Sequence, residues 1–192
     1  MQTAGVERRV ALQMVKDAEH YEVTRAMREA RVSLWVATAN VKDIHLEAPI
    51  GTRARARGRY ESILEVFDGL AGRGVELRLL HACPPSRPFR ARLSRHRKLR
   101  DGALAMRCCP RAHLKMIVID GRMLYLGSAN FTGAGLGAKA EGRRNFEIGI
   151  VTEDELLLDE MQSTFDAIWS GRRCGGCRLR AQCPAPIDEL GE

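Results

Sequence analysis

The sequence predicts an α/β domain in which a mixed β-sheet carries helices on both faces, followed by a short Cys-rich tail. Three observations lead there. Strand-like and helix-like stretches alternate, as in "VSLWVATA", "YESILEVFDGLAGRG" and "VELRLLHA". Two more β-prone stretches, "HLKMIVI" and "RMLYLG", meet at Asp120-Gly121, the strongest short hairpin signal. Near the end, "DELLLDEMQSTFDAIWSG" has the apolar stripe of an amphipathic helix. A length of 192 residues suits one domain, placed at 1–171, with the tail at 172–192.

Taken in order, residues 7–30 read as a loosely amphipathic scaffold helix, with Val10, Met14, Val15, Ala18, Tyr21 and Val23 on one side. Val32 to Ala39 is a short β-prone run without polar alternation, which suits a central strand covered on both faces. Lys42 to Arg59 is polar, Gly-containing and Arg-rich, and reads as a long loop. Ile63, Val66, Phe67 and Leu70 then recur at helical spacing before Gly72 and Gly74, and "VELRLLHA" follows as a strand. Residues 87–100 suit a helix opened by Pro88, and Leu104 to Cys108 a short strand. Beyond the hairpin come a Gly-rich loop, the strand "NFEIGIV" and the last helix, whose core side holds Leu157, Leu158, Met161, Phe165, Ile168 and Trp169.

A hydrophobic fraction of 45% and a charged fraction of 29% belong to a soluble globular protein, and no apolar run approaches the length of a membrane span. The N-terminus lacks the apolar core and cleavage site of a secretory signal, so the expected location is cytoplasmic. The net charge of +7 is clustered: Arg87, Arg90, Arg92, Arg95, Arg97, Lys98 and Arg100 form one run, and Arg53, Arg55, Arg57 and Arg59 another, both without an acid. Such runs are either solvated faces or phosphate-binding surfaces.

With a two-residue turn at Asp120-Gly121, Ile119 pairs with Arg122, Ile117 with Leu124, Lys115 with Leu126 and His113 with Ser128. That register gathers His113, Lys115, Ser128 and Asn130 at the open end of one face. Asp120 stays in the turn, roughly 23 Å from His113 at the extended rise per residue. A fixed cation, neutral donors and an imidazole without a carboxylate among them suit a phosphate. An isolated H-x-K would more simply be a strand cap with a snorkelling lysine.

The string His113-x-Lys115-x4-Asp120-x6-Gly127-Ser128-x-Asn130 resembles the H-K-D motif of the phospholipase D superfamily, and Asn145 and Glu147 resemble the Asn-x-Glu strand that follows it there. The resemblance runs from about Val32 to Trp169. It implies two-step phosphodiester cleavage: His113 attacks phosphorus, a second histidine protonates the leaving oxygen, and water releases the phosphate. Lys115 and Asn130 would hold the non-bridging oxygens, Ser128 would support them, and Glu147 would orient His113. Asp120, Gly127 and Asn145 are expected to be structural, and catalysis to need no cofactor. The family builds each site from two motifs, whereas this chain has one, since His20, His45, His81 and His96 lack the x-Lys-x4-Asp context. A homodimer is therefore implied. The expected substrate is nucleic acid, with Arg87, Arg90, Arg92, Arg95, Arg97 and Lys98 as its contacts. Phospholipid head groups are the alternative substrate, and a non-catalytic DNA-binding component of a phage-defence assembly is the alternative role.

The tail holds Cys174, Cys177 and Cys183 in C-x2-C-x5-C spacing, with Cys83, Cys108 and Cys109 elsewhere. Three thiolates so spaced are most of a metal site, a fourth from Cys109 or Cys83 would close it, and Cys109, four residues before His113, is the expected one. Structural zinc is the first expectation. The spacing also resembles tails that carry iron-sulfur clusters in some DNA nucleases of another fold.

Overall fold

The computed structural model describes residues 8–48 and 51–189. The elements are β1 (Gln13–Lys16), α1 (His20–Arg28), β2 (Ser33–Thr38), β3 (His45–Glu47), α2 (Arg53–Ala56), β4 (Tyr60–Ser62), α3 (Ile63–Gly72), β5 (Glu76–His81), α4 (Arg87–Leu93), β6 (Leu104–Cys108), β7 (Met116–Ile119), β8 (Met123–Gly127), β9 (Ile148–Thr152) and α5 (Glu155–Trp169). Seven strands form one mixed sheet in the order β1-β9-β8-β7-β2-β5-β6, and β3 pairs with β4 apart from it. The strands β2, β5 and β6 run parallel, and the other pairings in the sheet are antiparallel.

Both faces of the sheet are covered, which is why β7 is apolar throughout, β2 nearly so, and Leu77, Leu79 and Leu80 of β5 are buried. On one face Leu34, Val36, Leu77, Leu79, Ile117, Ile119 and Tyr125 pack with Val23 and Met27 of α1 and Phe67 and Leu70 of α3. On the other, Ala37, Leu80, Met116, Val118 and Leu124 meet Leu158, Phe165 and Trp169 of α5. Trp35, Phe165 and Trp169 stack in series with centroids 5.2 and 5.4 Å apart, and the Arg78 guanidinium lies 4.4 Å from the Trp35 ring centre. Helix α3 opens with a capping box of Ser62 and Glu65, while Asp154 caps α5 by accepting from Leu157 N at 2.9 Å.

Three expectations change. The single helix over 7–30 is instead β1 followed by α1, Glu7 lying outside the described residues. Met14 and its neighbours pair with β9, and Asp17, at φ 43°, turns the chain between the two elements. The loop expected over 42–59 contains β3 and α2, with residues 49 and 50 outside the description. The helix expected over 87–100 ends at Leu93, and the chain re-enters the sheet through a wide turn over Leu99–Ala103 in which Gly102 takes φ 119°.

Candidate active site

Sheet topology brings seven strand ends to one edge. There β1, β2, β5, β6 and β8 finish, and β7 and β9 begin. His113 and Lys115 lie just before β7, Ser128 and Asn130 just after β8, and Asn145 and Glu147 just before β9. Carboxyl ends of parallel strands are the usual place for a ligand in an α/β sheet.

The hairpin differs from its expected register by one residue. Asp120 and Gly121 do take left-handed φ of 56° and 62°, and Arg122 N–H donates to Ile119 O at 3.0 Å. The ladder resumes only at Met123, so Ile119 pairs with Met123, Ile117 with Tyr125 and Met116 with Leu126, leaving Arg122 as an extra residue. Alternation could not reveal this, because both strands are apolar on both faces and a one-residue slip exchanges one greasy face for the other. Lys115 consequently sits beside Gly127, whose N–H reaches Lys115 O at 3.1 Å. Ser128 is drawn in past the end of the ladder, donating its N–H to Ile148 O at 3.0 Å and accepting Ile148 N–H on Oγ at 3.1 Å.

Lys115 Nζ lies 3.1 Å from each ring nitrogen of His113 and donates to His113 O at 3.0 Å. The His113 side chain is exposed and Lys115 half-buried. Burial pulls the Lys115 pKa below its ordinary value, partly opposed by the Glu147 carboxylate. Glu147 accepts from Ser128 Oγ on one oxygen and from Asn145 Nδ2 at 3.0 Å on the other. Its hydrogen bonds thus go to those two residues, whereas the ring of His113 is met by Lys115. Glu147 is fixed from behind as well: Asp17 N–H donates to its carbonyl at 3.1 Å, and its own N–H reaches Asp17 Oδ1 at 3.3 Å.

Asn130 is oriented by groups that sequence reasoning missed. Its Oδ1 accepts from Asn40 N at 3.2 Å and Thr38 Oγ at 3.3 Å, which turns the amide so that Nδ2 keeps its donors for a ligand. Thr38 also accepts Phe131 N–H at 3.0 Å. The only sequence signal was the polar end of an otherwise apolar strand. Asp120 sits at the far end of β7, where it accepts backbone N–H groups of Val32 at 2.7 Å and of Arg31 and Ser33 at 3.0 Å. Burial pushes its carboxyl up, but the N–H groups of Val32, Ser33 and Arg31 outweigh that and hold its pKa below the usual value.

Gly127 is required by its close neighbours. A Cβ there would lie 2.3 Å from Tyr125 Oη and 2.8 Å from Ile148 O, and one on Gly149 would lie 2.5 Å from the Tyr125 ring. Tyr125 thus lies across two neighbouring strands, and burial raises its pKa to about 12, so it stays neutral behind the site.

Of the basic residues, Arg87, Arg90, Arg95, Arg97 and Lys98 are exposed, and Arg97 pairs with Asp101 at 3.4 Å. Arg92 is half-buried and its Nε lies 2.8 Å from the buried carboxylate of Asp43. Its charge therefore serves the fold. All six cysteines are free thiols, and Cys108, Cys109, Cys174, Cys177 and Cys183 line a single cavity of about 270 Å³. The four expected ligands are together, but among the described residues no three His, Cys, Asp or Glu side chains gather as a site for a single ion. The Arg111 guanidinium hydrogen-bonds Cys177 and holds that thiol below its ordinary pKa.

Residues 23–169 match the family model described as cardiolipin synthase, PLD-like domain. No curated protein sequence matches the chain. Among solved structures, Nuc of Salmonella typhimurium, described as a phospholipase D family member, superimposes with a TM-score of 0.57 at 18% identity, covering 84% of this chain and 95% of its own. NucT of Helicobacter pylori gives 0.53 at 14% identity over 82% of this chain and 94% of its own. A phosphatidylserine synthase of Haemophilus influenzae gives 0.51 at 16% identity over 83% of this chain and 38% of its own. At these identities the likeness is one of fold.

Proposed function

Because the chain belongs to the phospholipase D superfamily, we propose that it is a phosphodiesterase that cleaves nucleic acid through a phosphohistidine, in an active site completed by a second copy of the same chain. The observation that carries this is the edge itself, where an exposed imidazole stands against a half-buried ammonium, with a pre-oriented amide nearby. A ring nitrogen of His113 attacks phosphorus, forming an N–P bond as the P–O bond to the leaving group breaks. The leaving oxygen takes its proton from the second histidine. Water then attacks the phosphohistidine, giving that histidine its proton, and the N–P bond breaks to restore His113. Lys115 Nζ and Asn130 Nδ2 hold the non-bridging oxygens and stabilise the charge that grows on them. The catalytic step uses the fixed charge of Lys115 where other phosphodiesterases use a metal ion. Ser128 and Asn145 position Glu147, which acts on the electrostatics of Lys115.

Support for the shared site is twofold. His113 is the only histidine in the motif context, and His81, at the same edge, is buried with Nδ1 3.0 Å from Cys83 O. Beside Glu147, Phe146 is 96% exposed and Ile148 54%, an apolar surface next to a half-complete site. Support for nucleic acid comes from α4 and the turn after it, where Arg87 and Arg90 on the helix and Arg95 just beyond it are exposed cations without an ion pair among the described residues. Among those residues no helix is long and apolar enough to cross a membrane, and we place the protein in the cytoplasm. The test is purified protein with labelled single-stranded DNA, duplex DNA, RNA and phosphatidylcholine vesicles, each with wild type, His113→Ala and a mixed population of the two. Cleavage of a polynucleotide that is lost in His113→Ala, and lost also in mixed dimers, is the expected result. Vesicle hydrolysis without nucleic-acid cleavage, or an active monomer, would defeat the reading.

A further inference from the structure

We infer that the groove between the β3–β4 ribbon and the loop over 137–144 is a stacking site for an unpaired strand, so that, on the nucleic-acid reading above, the polynucleotide this protein takes is single-stranded. The groove has a volume of about 400 Å³, and none of its lining residues belongs to the catalytic edge. The ribbon lines it with His45, Glu47 and Tyr60, and the loop with Lys139 and Arg144. Tyr21 of α1 touches both walls. Its Oη accepts Glu47 N–H at 2.9 Å, and its backbone N would lie 3.0 Å from a Cβ on Gly137.

The groove carries what bases and phosphates need. Tyr60 stands opposite Glu47 in the ribbon and diagonal to His45, so both rings lie on one face. Tyr60 is 60% exposed, and the His45 ring is steadied by Arg92, whose Nη2 lies 3.3 Å from Nε2. In a duplex the bases stack on one another and offer no face to a side chain. Exposed rings beside a phosphate site therefore serve bases that have left the stack. The charge is one-sided as well. Glu22 is paired with Arg25 at 2.8 Å and Glu47 with Arg55, whereas the side chains of Lys139 and Arg144 have no partner among the described residues. Two unanswered cations remain for successive phosphates.

The loop also joins the groove to the phosphate cradle. A Cβ on Gly135 would lie 2.6 Å from Asn130 O, and Gly135 N–H donates to Thr132 Oγ at 3.0 Å, so the chain leaves Asn130 tightly wound. Asn145 N–H closes the loop on Ala134 O at 3.1 Å. The Lys139 stem folds back over Gly133, with Cε 3.4 Å from where a Cβ would stand, and Arg144 directly precedes Asn145, the partner of Glu147. A strand held at Asn130 by its scissile phosphate continues along this loop into the groove.

The test is equilibrium binding by fluorescence anisotropy in the His113→Ala background, where no strand is cut, to single-stranded DNA, single-stranded RNA and duplex DNA of equal length. A single strand should bind more tightly than the duplex. Tyr60→Ala should weaken single-strand binding roughly 5–150-fold, the equivalent of one lost base stack, while duplex binding hardly moves and Tyr60→Phe binds as Tyr60 does. Lys139→Ala should lower the log-log salt slope for single strands by about 0.7. Both side chains are exposed, so thermal melts of these variants should match the parent. Wild-type cleavage of a polynucleotide, together with single-strand affinity that ignores Tyr60→Ala and Lys139→Ala, would overturn the groove and leave the nuclease standing. Equal losses on duplex and single strand would overturn the unpaired strand. A protein that binds no polynucleotide at low salt would overturn both readings.

Discussion

Asp120 belongs to the motif yet lies at the far end of β7 from the reacting groups, so replacing it should damage the fold and spare the chemistry. Asp120→Asn is the clean perturbation. Asparagine tolerates the left-handed φ of 56°, and Oδ1, which accepts from Arg31, Val32 and Ser33, can be kept in place as a neutral amide oxygen, while Nδ2 replaces Oδ2 and gives up its share of the Arg31 N–H at 3.0 Å. A charged acceptor is roughly twice as strong as a neutral one. Three bonds to a charged group, each worth about 1.5–3 kcal/mol before discount, would lose half, but Arg31 and Val32 are exposed and water replaces much of the difference, leaving about 2 kcal/mol. At this chain length that is a fall in Tm of roughly 4–8 °C. The sign with pH follows from the depressed pKa: the contribution is present above the ordinary carboxylate value and is lost as pH falls through the lower, folded value. Thermal melts of wild type and variant should therefore converge on acidification. Turnover per folded molecule should match wild type. A variant with wild-type Tm and abolished turnover would refute the reasoning and put Asp120 in the chemistry.

Lys115→Gln should lower turnover of a small chromogenic phosphodiester by about 10²–10³-fold, the scale of one lost charge-stabilising donor. In wild type the alkaline limb of kcat/KM should fall below the usual lysine range, and Glu147→Gln, which removes the carboxylate that opposes burial, should move it lower still in a pH-rate series. Gly149→Ala should cost about 1–3 kcal/mol in urea denaturation; Tyr125→Leu should recover much of that, but should not rescue Gly127→Ala, which still meets Ile148 O at 2.8 Å. Joint replacement of Arg90, Arg95 and Lys98 by alanine should flatten the salt dependence of polynucleotide binding, by about 0.7–0.9 in log-log slope for each phosphate no longer neutralised. Arg92→Ala should instead lower Tm, because it strips the buried Asp43 of its cation.

Elements whose apolar pattern reflects burial were legible, whether covered on both faces, as β2 is, or along one stripe, as α5 is. β2, β5, β6, α3 and α5 appear within about three residues of the expected places. That His113, Lys115, Ser128 and Asn130 would come together was legible too, from a string with fixed spacing. Their arrangement was not. Register depended on an extra residue at Arg122 that no apolar pattern marks, and the hydrogen bonds of Asn130 come from Thr38 and Asn40, some ninety residues away. β1 escaped for a related reason: it is a short edge strand, and pairing with β9 overrides a weak helical pattern.

That pairing has a consequence for the order in which the protein is made. β1 and Asp17 are synthesised early, but Glu147, which Asp17 grips by its backbone, follows 130 residues later. Translation advances at about 5–20 residues per second, so β1 waits several seconds on the ribosome with its edge unpaired. The carboxylate that meets Ser128 is locked only when β9 emerges and β1 closes over it. Until then the candidate site is not set, and it is complete only once the sheet is closed from edge to edge.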